Sequence, residues 1–74
     1  MKITNPSANV TILTTDKATI LFSYGVPVAA NFAGAFHRTN KFWSKTTSKH
    51  INAWLDGAKA HEKDQDFFNI LVGE

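Results

Sequence analysis

The sequence predicts an α+β domain: a small antiparallel sheet of three to four strands, packed by one main helix, with a second short helix near the C-terminal end. Three features carry this. Two early runs, Val10–Thr14 and Ala18–Tyr24, are rich in β-branched and large apolar residues. The stretch Thr39–Gly57 holds both tryptophans and an apolar stripe at helical spacing. Beyond it, Asp64 stands before a second, shorter helical pattern.

The elements follow in order. Lys2–Thr4 fits a short strand, and Asn5–Asn9 has loop composition. Val10–Thr14 is a strand, and Thr15-Asp16-Lys17 turns the chain. In Ala18–Tyr24, Ile20, Phe22 and Tyr24 fall on one face; Thr19, Leu21 and Ser23 fall on the other. Gly25 marks a bend or bulge. Val26–Phe32 is extended and apolar, and Pro27, which has no N–H to donate, belongs at a strand start or on an edge. Ala33-Gly34 is the next turn. Ala35–Thr39 returns, with Phe36 and Arg38 on one side and His37 on the other.

The main helix lies within Thr46–Leu55. Thr46, Thr47 and Ser48 are its candidate N-caps, because their hydroxyls can accept from free first-turn N–H groups. Ile51, Trp54 and Leu55 form the inward stripe, with Thr47 one turn earlier. Lys49, His50, Asn52 and Asp56 fall off it and should be wet. Gly57 suits a left-handed residue at the helix end. Trp43 is expected in the core. Ala58–Lys63 reads as a loop or a last irregular strand. Asp64 caps Gln65–Val72, whose stripe is Phe67, Ile70 and Leu71, and Gly73 ends it.

At 74 residues the chain is one domain with a thin core. Its 43% hydrophobic content argues against disorder. There is no cysteine, so disulfides and thiolate metal sites are excluded. With no apolar run of spanning length and no leader-like start, a soluble protein of the cytoplasm is expected. The net charge is +2 but unevenly placed. No carboxylate lies between Asp16 and Asp56, where Lys17, Arg38, Lys41, Lys45 and Lys49 stand. After Asp56 come Glu62, Asp64, Asp66 and Glu74 against Lys59 and Lys63. The plain expectation is that the two halves neutralise each other across the fold.

From Ser23 onward the chain resembles a family of small phage and prophage proteins whose shared domain has no known function. The matching residues are Ser23-Tyr24, Pro27-Val28-Ala29, Thr39, Lys41, Trp43-Ser44, Thr46-Thr47, His50-Ile51 and Trp54-Leu55. They cover the central half of the chain. Val26 departs from the threonine more usual there. The resemblance implies a viral origin and a host-cell cytoplasm, and transfers no mechanism.

No motif assigns a reaction. His37, His50 and His61 do not pair at helical ligand spacing, so no metal or cofactor is expected. Thr46 and His50 lie four apart, with Ser44 and Thr47 near. They lack an orienting acid, so helix capping explains the hydroxyls and no enzyme is expected. Two binding readings remain. One is a partner-binding protein that covers a host or phage protein, using an edge strand near Pro27 and an aromatic and basic rim around an exposed Phe42. The same edge would serve a homodimer. The other is phosphate-backbone binding by nucleic acid at the basic segment 38–50. There Arg38, Lys41, Lys45, Thr46, Lys49 and His50 gather about a helix N-terminus.

Overall fold

The computed structural model describes residues 2–73. Among them, six strands form one sheet in chain order: β1 (Lys2–Ser7), β2 (Val10–Thr14), β3 (Ala18–Ser23), β4 (Val26–Phe32), β5 (Ala35–Thr39) and β6 (His61–Lys63). Helix α1 (Lys45–Leu55) connects β5 to β6, and α2 (Gln65–Leu71) follows β6. The α+β class with two helices holds. The expected three to four strands become six, because Lys2–Ser7 and His61–Lys63 both join the sheet. The last pair, β5 with β6, is parallel. A parallel partner requires a crossover, and α1 supplies it.

Each turn follows from local chemistry. Tyr24-Gly25 and Ala33-Gly34 close two-residue hairpins with all four φ angles positive, from 53° to 80°. Positive φ at both central positions is the hairpin turn whose twist matches the strands. Gly25 and Gly34 take the second position at no steric cost. Gly25 therefore makes a hairpin rather than a strand bend. At the β2–β3 turn, Thr15 Oγ1 accepts from the N–H of Lys17 and of Ala18 at 3.2 and 3.1 Å.

The pleat sends neighbouring residues of β3 to opposite faces. Leu21 packs with Val10, Val28, Ala29, Ile51 and Leu55, so α1 covers that face. Ile20 packs with Ala18, Ala30 and Phe68, so α2 covers the other. A register shift after Leu21, between the pairs Leu21↔Ala29 and Phe22↔Pro27, leaves Val28 as the extra residue of a bulge. The bulge turns Val28 onto the α1 face beside Ala29, out of simple alternation. Pro27 sits next to it, in a strand flanked on both sides by β3 and β5. The expected edge near Pro27 is therefore interior. The sheet's edges are β1 and β6.

Ser44, not Thr46, Thr47 or Ser48, caps α1: its Oγ accepts from the Thr47 N–H at 3.1 Å. Lys45–Ser48 already lie in the first turn, and Thr47 is buried. Asp56 takes the left-handed cap position with φ 50°, and Gly57 continues left-handed. Ile51 and Leu55 are buried as expected, while Trp54 is half-buried and meets Phe36 edge-on, with centroids 5.5 Å apart. Asp64 caps α2 through Phe67 N–H at 3.0 Å. The α2 stripe is corrected by one residue. Phe68 is fully buried, Phe67 and Leu71 flank it, and Ile70 faces solvent. A short helix laid across a twisted sheet centres on one residue, which periodicity alone placed at the wrong position.

Phe68→Ala should cost about 3–5 kcal/mol, because it empties the centre of one face. Trp54→Ala, at a half-wet position, should cost roughly half as much. Urea unfolding midpoints check this order. A larger loss at Trp54 would show the main core lying under α1 instead.

Candidate functional site

The basic segment folds into a surface cleft between the end of β5 and the start of α1. The cleft, about 160 Å³, is walled by Arg38, Lys41, Phe42, Trp43, Ser48 and Glu62, among others. Its geometry starts from Gln65, the first residue of α2. The Gln65 Oε1 accepts from Thr39 Oγ1 at 3.0 Å and from Trp43 Nε1 at 3.1 Å. Its Nε2 donates to the Pro27 carbonyl at 2.6 Å and to Asn69 Oδ1 at 3.5 Å. One amide thus ties β4, β5, the connector and α2. It holds the indole by its edge and leaves the ring at the surface.

Trp43 is therefore not core: it is 39% exposed. Lys41 Nζ stands 4.2 Å from its ring centroid, a cation–π contact that covers an indole face. Phe42 is 70% exposed, as expected of a contact residue. Arg38 Nη1 donates to Asn52 Oδ1 at 3.2 Å, which holds the guanidinium against α1. Glu62 faces the same cleft because β6 pairs with β5 in the register Arg38↔Glu62. One acid of the C-terminal part, Glu62, is thus brought to the basic middle.

The six basic and polar residues singled out in the sequence do not form one site. Arg38 and Lys41 share the cleft. Lys45, Thr46 and Lys49 are exposed on the first turns of α1 and wall neither this cleft nor the groove that holds His50. His50 lines that separate groove, between α1 and the β1–β2 hairpin.

Nor is His50 simply wet. Its Nδ1 lies 2.8 Å from Ser23 Oγ, and Ser23 Oγ lies 3.0 Å from Thr47 Oγ1. Ser44 Oγ donates to Thr47 Oγ1 at 3.2 Å. Ser23 Oγ thus links Thr47 Oγ1 on one side to His50 Nδ1 on the other. Ser23 is only 2% exposed, so this serine–imidazole pair binds β3 to α1 and presents no open nucleophile. On the sequence, helix capping explains the Thr46–His50 spacing, and His50 is expected to be wet. Its hydroxyl partner comes from β3, 27 residues earlier.

His37 packs under α2, between the rings of Phe32 and Phe67, and beside His61 with ring centroids 5.6 Å apart. Among the described residues, no group of three or more His, Asp or Glu side chains is placed to hold a metal ion. None of the described helices is long and apolar enough to cross a membrane.

These features define a class: a small α+β domain whose sheet lies between two helices, with an aromatic and basic surface cleft. The chain belongs to a family described as a family of unknown function, DUF8033, whose model matches residues 1–69. That match takes in nearly the whole domain, β1 and most of α2 included. No curated protein and no solved structure matches the chain.

Gln65→Ala should destabilise by about 1–3 kcal/mol, since it leaves the buried Thr39 hydroxyl and the Pro27 carbonyl without their partner. Tryptophan fluorescence should shift to the red as Trp43 is released. An unchanged spectrum would mean the amide does not place the indole. His50→Ala should cost about 1 kcal/mol by removing one of the two partners of the buried Ser23 hydroxyl. Thermal melts that match the wild type would return His50 to the role of a solvated helix residue.

Proposed function

We propose that this chain is a small non-enzymatic, phage-encoded binding protein that acts in the host cytoplasm by protein–protein contact with a host or phage protein. The viral setting rests on the resemblance of Ser23–Leu55 to phage and prophage proteins. The observation that supports a protein partner is the Phe42–Trp43 projection. Two aromatics stand out of the surface beside Arg38 and Lys41, and one of them is braced from behind by Gln65. Aromatic and arginine side chains held rigidly at a surface are the usual energetic centres of protein interfaces. Ordering them beforehand lowers the entropic cost of binding.

Nucleic-acid binding through segment 38–50 is the second reading, favoured by four basic residues in a stretch with no carboxylate. Three features weigh against it. Glu62 faces the cleft, Lys41 covers an indole face that a base would need, and Lys45 and Lys49 lie outside the cleft.

The two readings separate by experiment. Short single- and double-stranded DNA and RNA should show no specific binding at low or moderate salt. Salt-sensitive binding lost in Lys45→Ala/Lys49→Ala would instead select the nucleic acid. A tagged pull-down from host lysate should recover a partner that Phe42→Ala releases, a loss of about 2 kcal/mol or more at an interface centre. Equal recovery by Phe42→Ala would remove the cleft from the interface.

A further inference from the structure

We infer that the cleft beside Phe42 and Trp43 takes a single acidic side chain of a protein partner, with its carboxylate set on Arg38 and Lys41. This deepens the protein-binding reading above and rests on it.

The cleft is small. At about 160 Å³ it falls below the roughly 300–1,000 Å³ of pockets that enclose a small-molecule ligand. It has room for about one side chain, so the occupant belongs to a larger partner whose remainder stays outside. The rim suits such a partner. Phe42 and Trp43 are both exposed there, and apolar neighbours of the inserted residue can rest on them.

The charges of the wall select the side chain. Arg38 is half-buried and gives one N–H to Asn52 Oδ1, a neutral acceptor. A guanidinium has five such donors and meets a carboxylate two at a time. Among the described residues Arg38 makes no ion pair, although Glu62 is its register partner on β6. Lys41 likewise makes none; its Nζ stands over the uncharged Trp43 ring. Thr39–Leu55 supplies no carboxylate to this wall.

Glu62 sets how much negative charge the cleft accepts. Arg38 and Lys41 are two cations against this one anion, so one added carboxylate completes the balance. A phosphate group carries roughly −1.5 to −2 at pH 7 and sets its excess against Glu62. A lysine would meet two like charges. The match is a glutamate or aspartate flanked by apolar residues.

The test titrates the ¹⁵N-labelled full chain with capped pentapeptides, followed by NMR. The first probe is threonine–leucine–glutamate–leucine–threonine. The second has glutamine in place of glutamate, the third phosphoserine and the fourth lysine. Saturable shifts at the Trp43 indole N–H and the Arg38–Phe42 amides are expected with the first. Glutamine keeps the shape without the charge and should bind about tenfold more weakly. Phosphoserine and lysine should also bind more weakly than glutamate. Arg38→Gln should erase the difference between the glutamate and glutamine probes. Glu62→Gln should tighten the glutamate probe about threefold and leave the glutamine probe unchanged. Position 62 is exposed, so this second variant keeps the fold even where Arg38→Gln loses it.

Equal binding of the glutamate and glutamine probes overturns the inference, as does a glutamate probe indifferent to Glu62→Gln. No shift at millimolar peptide overturns it too. Tighter binding of phosphoserine, or of an octathymidylate strand, at the same residues gives the cleft to a phosphate instead. Failure here differs from failure of the reading beneath it. A cleft that ignores charge still loses both probes in Phe42→Ala, whereas a cleft outside the interface gives equal partner recovery by that variant.

Discussion

Strands β3 and β4 are apolar on both faces, and that single constraint shapes the molecule. Ile20 and Leu21 are adjacent, point opposite ways and are both fully buried. A sheet with such a centre must be covered twice. A 74-residue chain has room for two short helices, and each is spent on one face. The bulge at Val28 fits the same need, since it moves one more branched side chain under α1. The cover reaches Val10 and Ile12 of β2 on the α1 face and leaves β1 exposed.

Polar contacts then fix the position of each helix. Apolar packing is tolerant of small slides, whereas hydrogen bonds are directional. The Ser23–Thr47 and Ser23–His50 contacts set α1 over β3, and the bonds of Gln65 to Pro27 and Thr39 set α2 against β4 and β5. Each joins residues far apart in sequence. The second also decides the surface, because a tryptophan held by its indole N–H keeps its ring outside. The candidate contact surface is thus a consequence of how α2 docks.

The basic segment shows why residues close in sequence need not share a site. Arg38 and Lys41 come from the end of β5 and the connector, and Lys45 and Lys49 from α1. The chain turns between them, so the charges spread over different surfaces. Glu62 arrives beside Arg38 because β6 pairs in parallel with β5. The result is a mixed-charge cleft around aromatics.

Periodicity, turn residues and caps are local properties, and they were legible. The strands Val10–Thr14, Val26–Phe32 and Ala35–Thr39, the inward turn of Ile51 and Leu55, the Asp64 cap and the exposure of Phe42 all follow from neighbours in the chain. The third dimension settled the rest. Lys2–Thr4 already fitted a strand and Ala58–Lys63 a loop or a strand; the sheet decided that β1 runs on to Ser7 and that His61–Lys63 pairs with β5. Pro27 stands at the start of β4, a strand held between β3 and β5, and its carbonyl is taken by Gln65. Phe68 rather than Ile70 is buried because α2 crosses at one angle. Trp43 and His50 took their roles from Gln65 and Ser23. Such partners lie 22 and 27 residues away. A contact of that range leaves no periodic trace in the sequence, because its geometry exists only after the sheet has formed.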